Sequence, residues 1–216
     1  SWFGFVMPLS KRLELIKSAG FGSTSLWWED EEGNYSIKKT HMPKMVSNFG
    51  LTLDNIHTPF CNSNDLWSEY FSVRSKIIKQ YLTWLEDCAK FNIPIMVMHI
   101  MEGDIVPKLN KYGIESISYL TRKAQELNVK IALENTKFAD GITFILSEIK
   151  SDYLGLCYDS SHARLNKDEF LLKDFGHRLI TCHISDNDGQ SDRHWLPGNG
   201  VIDWENFYNS FPKERY

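Results

Sequence analysis

Seven short apolar runs, rich in β-branched and aromatic residues, recur along the chain at Trp2–Val6, Ser23–Trp28, Leu51–His57, Ile95–Ile100, Lys130–Leu133, Tyr153–Tyr158 and Leu179–Ile184. Their lengths and compositions predict strands. The stretches between them carry helical spacing. Leu9–Ala19 puts Leu9, Leu13 and Ile16 on one face and stops at Gly20, a residue that ends helices well. Asp65–Phe91 repeats Leu66, Tyr70, Ile77, Tyr81, Leu85 and Cys88 at mostly three- and four-residue steps, which predicts one long helix. Val106–Leu127, Ile142–Ile149, Lys167–Phe175 and Trp204–Phe211 read as further helices.

Strands that alternate with helices predict a parallel sheet, because parallel neighbours are joined by crossovers. A doubly wound sheet usually carries a Gly-rich phosphate loop after its first strand. Gly4-Phe5-Val6-Met7-Pro8 stands there instead. The expected fold is therefore a (β/α)8 TIM barrel, one domain spanning residues 1–216, since no low-complexity linker interrupts the chain. Both ends are expected to be clipped: Ser1-Trp2-Phe3-Gly4 reads as the middle of a first strand, and Tyr216 precedes any eighth one.

The composition, with 42% hydrophobic and 24% charged residues, is that of a soluble globular protein. A net charge of −4 argues against nucleic acid as a partner, because phosphate binding needs a basic face. Cys61, Cys88, Cys157 and Cys182 lie far apart without a CxxC pair and read as thiols in a reducing cytosol. The apolar stretch Ile93–Met101 is too short to span a membrane, and Lys11 and Arg12 follow rather than precede the apolar start, unlike a leader. A cytoplasmic protein is expected.

The strand ends carry the chemistry. His57, His99, Glu134 and Asp159 close four of the predicted strands. His162 follows Asp159 by three residues, and His183 and Asp186 lie on the last strand with Asp188, Asp192 and His194 in its loop. Strand carboxyl ends of a barrel converge on one mouth. Five of the seven histidines would meet carboxylates there, a donor set for Zn, Mn, Co or Mg. Only His41 and His177 fall elsewhere, as surface or packing residues. Without a cation, such a cluster would bury unpaired charge. Trp2, Trp27, Trp28, Phe60 and Trp195 sit near the same ends, either as a wall that shields the mouth from water or as packing under loops. Lys137, Arg164 and Arg193 could hold a phosphate, but no phosphate motif requires it.

Leu133-Glu134-Asn135-Thr136, Cys157-Tyr158-Asp159-Ser160-Ser161-His162, His183-Ile184-Ser185-Asp186-Asn187-Asp188-Gly189, Asp192-Arg193-His194 and Leu196-Pro197-Gly198-Asn199-Gly200-Val201-Ile202-Asp203-Trp204 follow one another along the chain. In that order they resemble the signatures of the xylose isomerase-like TIM barrels, with Asn199 where Glu is usual. The resemblance implies a sugar (or sugar phosphate) isomerase or epimerase using a divalent metal. Glu134, Asp159 and His183 would be metal ligands, and the family's fourth ligand, an eighth-strand Glu, has no counterpart here. Glu134 would also act as base, with His162 beside it as the second catalytic-site residue, orienting substrate or ligand. His57, His99, Asp192, His194, Trp28 and Trp195 would line the substrate pocket or bind a further metal. Relatives often assemble, so a homo-oligomer is expected. Two alternatives stay open. One is an apurinic-site endonuclease with three Zn ions on His57, His99, Glu134, Asp159, His162, His183, Asp192 and His194. The other is a non-catalytic metal- or sugar-binding barrel.

Overall fold

The computed structural model describes residues 5–212. Six strands, β1 (Ser23–Trp27), β2 (Thr52–His57), β3 (Ile95–Met98), β4 (Lys130–Glu134), β5 (Leu154–Asp159) and β6 (Leu179–His183), pair in that order. Every pairing is parallel. The helices are α1 (Leu9–Ser18), α2 (Met42–Asn48), α3 (Phe71–Lys90), α4 (Lys111–Glu126), α5 (Ala139–Glu148), α6 (Ser160–Asn166), α7 (Phe170–Phe175) and α8 (Trp204–Ser210). The sheet curls strongly. His57 on β2 and His183 on β6 stack with ring centroids 5.7 Å apart, where four strand steps in a flat sheet would span about 19 Å. This is the TIM-barrel architecture expected from the alternation. The predicted strand Trp2–Val6 falls mainly outside the described residues, and Phe5 and Val6 are irregular and exposed.

The predicted Asp65–Phe91 helix divides in two. Ser63–Trp67 forms a short 3-10 turn, Ser68 is extended, and α3 starts at Phe71. The break frees the Trp67 indole to donate to Ile100 O at 2.8 Å, and Arg74 donates to the Ser68 and Glu69 carbonyls. Leu66 is buried while Tyr70 is 65% exposed, so the two do not share one buried face. Likewise α4 starts at Lys111 rather than Val106, because the Asn110 side chain caps the amides of Tyr112 and Gly113. Two short helices, α2 and α6, were not foreseen. Lys167, in the left-handed region at φ 60°, ends α6, so the predicted Lys167–Phe175 helix begins only at Phe170.

The main core lies between the sheet and its surrounding helices, built on residues such as Leu13, Ile56, Leu85, Met96, Leu120, Leu133 and Ile145. A second, small cluster of Val97, Ala132 and Cys157, flanked by Ile95 and Ile180, fills the inside of the curl. Two register shifts set which side chains face inward. On β2, Leu53 and Ile56 both pack against the outer core, which strict alternation forbids. The irregularity opposite Thr24 and Ser25, where Asp54 is passed over, resolves the conflict and turns Asn55 and His57 to the other side. On β6, Ile180 packs inside and Cys182 outside. The shift opposite Leu156 and Cys157 passes over Ile180. It changes the phase so that His183 faces inward. No helix among the described residues is long and apolar enough to cross a membrane.

Candidate metal centre

The inward side chains at the strand ends gather around one carboxylate. Glu134, the last residue of β4, is only 3% exposed in its side chain. Its Oε2 lies 2.7 Å from His57 Nε2 and 3.1 Å from His99 Nε2. Its Oε1 lies 3.0 Å from His183 Nδ1 and 3.5 Å from His162 Nδ1. Asp159, at the end of β5, caps α6 by accepting from the His162 amide at 2.8 Å, and its Oδ2 is 3.8 Å from His183 Nδ1. The cluster continues outward. His162 Nε2 is 3.4 Å from Asp192 Oδ2, which His194 Nε2 meets at 2.8 Å. The structure therefore brings His57, His99, Glu134, Asp159, His162, His183, Asp192 and His194 into one continuous chain of contacts. His194 is its exposed end, in the left-handed region at φ 51°.

Charge follows from this arrangement. Burial would push Glu134 up, but the surrounding imidazoles, His183 foremost, hold it well below the ordinary carboxylate value. Burial raises Asp159, which gets less help from its neighbours. His99 is lowered by burial. Burial also opposes protonation of His162, yet Asp192, Asp159 and Glu134 outweigh it and push the ring up to about 10. His183 rises for the same reason, on Glu134 and Asp159. Asp192 is lowered by the hydrogen bonds of His162, His194 and Ser161, against its burial.

The tautomers are informative. His57 Nδ1 sits 2.9 Å from the Thr58 carbonyl, and His162 Nδ1 sits 2.8 Å from the Asn135 carbonyl. A carbonyl only accepts, so these nitrogens carry protons. A neutral His57 then aims its Nε2 lone pair at a carboxylate oxygen 2.7 Å away. That contact is repulsive unless the ring is an imidazolium or a cation lies within reach of both atoms. A metal-binding imidazole commonly gives its other N–H to a backbone carbonyl, as here. Three sets of donor atoms lie within 4.8 Å of one another: His57, His99 and Glu134; Glu134, Cys157 and His183; and Glu134, Asp159 and His162. The donor chemistry and its buried geometry fit a divalent cation.

One expectation is corrected. Trp28 does not line the cluster. It is fully buried, donates its indole N–H to Asp87 Oδ2 at 2.9 Å and packs on Phe91 of the outer layer. A groove of about 950 Å³ beside it, lined also by Glu29, Lys39, Lys76 and Trp84, includes none of the histidines. Trp27, its neighbour on the other side of the strand, stacks on His57 at 5.0 Å, and Phe60 stacks on His99 at 4.6 Å. Trp195 pairs through its backbone with Asp186, and the residue is 41% exposed. Trp2 lies outside the described residues. Asp186 and Asp188 hold loops instead of joining the centre.

Asn135 carries a role that residue type alone did not suggest. Fully buried, it accepts from the Asp159 amide, donates to the Asp159 carbonyl, and through its own carbonyl orients His162. Its position immediately after Glu134 was the available signal. Ser161, which donates to Asp192 at 2.6 Å, was equally silent in the sequence.

The comparisons with known proteins agree with this architecture. The family model described as xylose isomerase-like TIM barrel matches residues 13–216. An uncharacterized protein of Sinorhizobium fredii is 26% identical over 89% of this chain and 73% of its own length. A crystal structure described as a D-tagatose 3-epimerase-like protein superposes with a TM-score of 0.74 at 23% identity, covering 94% of this chain and 82% of its own. An L-ribulose 3-epimerase gives a TM-score of 0.72 at 16% identity, with 94% and 70% covered. With its fold that of sugar epimerases and nearly its whole length matched by the family model, the chain belongs to the xylose isomerase-like TIM barrel family.

Proposed function

We propose that this protein is a metal-dependent sugar isomerase or epimerase that moves a proton on the carbon beside a carbonyl group. The observation that carries the reading is the convergence of His57, His99, His162 and His183 on the buried Glu134 carboxylate, with His57 Nε2 2.7 Å from Oε2 while its Nδ1 faces the Thr58 carbonyl. Glu134, Asp159 and His183 would hold the cation, with His57 and His99 beside them. A divalent cation there supplies the Lewis acidity that makes a proton next to a carbonyl removable. Glu134 is kept ionised by its imidazoles, the form that both a ligand and a proton acceptor must have. His162, held by Asn135 and Asp192, orients substrate. Trp27 and Phe60 cover the histidines and limit water. D-tagatose and related ketoses are the first substrates to test, given the similarity to epimerase structures.

The test is elemental mass spectrometry of protein purified without chelator, followed by incubation with ketohexoses in D₂O with added Mn²⁺ or Co²⁺. Deuterium appearing on the carbon next to the carbonyl supports the reading. Metal-loaded protein that exchanges no ketose or aldose proton overturns it.

The contact chain from His57 to His194 favours one second reading, a phosphodiester nuclease with three metal ions, because it supplies three overlapping donor sets. Close to three Zn per chain and cleavage of abasic DNA would select it.

A further inference from the structure

The floor of the centre carries a donor that the roles above leave unused. Cys157 lies in the small inner cluster with Val97 and Ala132, directly beneath the histidines. It is fully buried and pairs in register with Glu134 across the β4–β5 ladder. Its Sγ, one Glu134 oxygen and one His183 nitrogen all lie within 4.8 Å of one another. The thiol is free and has no hydrogen-bond partner among the described residues. Its neighbours in that layer, Val97 and Ala132, offer no lone pairs, so Cys157 is the donor of the floor. Cys182, one strand away, packs against the outer core instead.

We propose that Cys157 Sγ is a ligand of the centre together with Glu134 and His183, which gives the site a preference for thiophilic divalent ions such as Zn²⁺, Co²⁺ and Cd²⁺ over Mg²⁺ and Mn²⁺. The proposal rests on the metal-centre reading above and narrows it. Oxygen donors suit Mg²⁺ and Mn²⁺, imidazole suits Zn²⁺ and Co²⁺, and a sulfur donor moves the balance further to the soft side. Coordination replaces the thiol proton, which leaves to solvent.

The experiment is Co²⁺ titration of the full chain in a Cys61→Ser background, which removes the exposed thiol. Absorption is read in the visible, where ligand-field bands report any bound Co²⁺, and in the near ultraviolet, where a sulfur-to-cobalt charge-transfer band reports a thiolate ligand. The expected result is both sets of bands, with the charge-transfer band lost in Cys157→Ser and kept in Cys182→Ser. Ligand-field bands without a charge-transfer band in the parent protein overturn the Cys157 assignment while leaving the centre intact, and this outcome needs no folded Cys157 variant. A charge-transfer band that survives Cys157→Ser also overturns it. Failure to bind Co²⁺ at all overturns both the assignment and the centre.

Discussion

Asp186 is the residue whose replacement tests the loop architecture most sharply. It is fully buried, and its carboxylate accepts five hydrogen bonds. Oδ1 takes the amides of Asn187 at 2.9 Å and Ile202 at 3.2 Å. Oδ2 takes the amides of Gly198 and Gly200, each at 3.0 Å, and the Trp204 indole at 2.8 Å. One carboxylate thus gathers the Pro197–Gly200 loop and the start of α8. The approach is so close that a methyl group on Gly200 would lie 2.1 Å from Asn187 O and 2.2 Å from Asp186 Oδ1. Asp186→Asn keeps the volume and removes the charge. Whichever way the amide turns, its NH₂ opposes either two donors or three. Two lost bonds to a charged acceptor, at about 1.5–3 kcal/mol each, predict destabilisation of about 3–6 kcal/mol, a large part of the roughly 5–15 kcal/mol typical of a domain. Burial works against ionisation, but the five donors bring the carboxyl down to about 2 from an ordinary 3.8. A depressed acid stabilises the fold above its ordinary value and loses that contribution as pH falls through the folded one. The wild type should therefore lose about 1–2 kcal/mol between pH 5 and pH 2, after allowance for solvent screening, and the variant should not. Urea unfolding followed by tryptophan fluorescence, in chelator to remove metal linkage, measures both effects. A variant within about 1 kcal/mol of wild type at pH 7, with unchanged m-value, refutes the reasoning.

Gly113→Ala should cost about 2–3 kcal/mol, since a methyl there would lie 2.1 Å from the Trp67 ring; thermal unfolding reads it, and an unchanged midpoint would contradict the packing. Asp168 is buried with Oδ2 unpartnered, and burial together with Glu169 and Asp140 raises it to about 6. The unfolded chain releases that proton near 3.8, so stability is lost as pH rises from there to about 6, and Asp168→Asn should gain about 1–2 kcal/mol at pH 7 and nothing at pH 3 in parallel urea titrations. Glu134→Gln should weaken divalent-ion binding on the order of 100-fold or more by calorimetry while leaving the circular dichroism spectrum in place, because it removes the carboxylate on which four imidazoles converge.

The clustering of these side chains was legible in the sequence because strand carboxyl ends in a parallel barrel share one mouth. His57, His99, Glu134, Asp159, His162 and His183 could be gathered from their positions at strand ends before any distance was known. The aromatic wall was not legible to the same degree. Trp27 and Trp28 are adjacent, and only the pleat decides that Trp27 covers His57 while Trp28 joins the outer core. The division of Asp65–Phe91 was hidden too, because helical spacing runs on through a segment that tertiary bonds from Trp67 and Arg74 pull out of the helix.

The order of residues by itself determined the alternation of strand and helix, and with it the parallel sheet, its sequential strand order and the convergence of histidines and carboxylates. The tertiary structure decided which way those side chains face. Read by alternation alone, the outer packing of Leu53 would send His57 outward, and the inner packing of Ile180 would send Cys182 inward and His183 out. A register shift in each strand reverses the phase and delivers both imidazoles to Glu134. The physical reason is that side-chain direction in a strand has a period of two residues, so one extra residue exchanges the faces. Whether that residue is accommodated depends on the neighbouring strand, not on the local sequence.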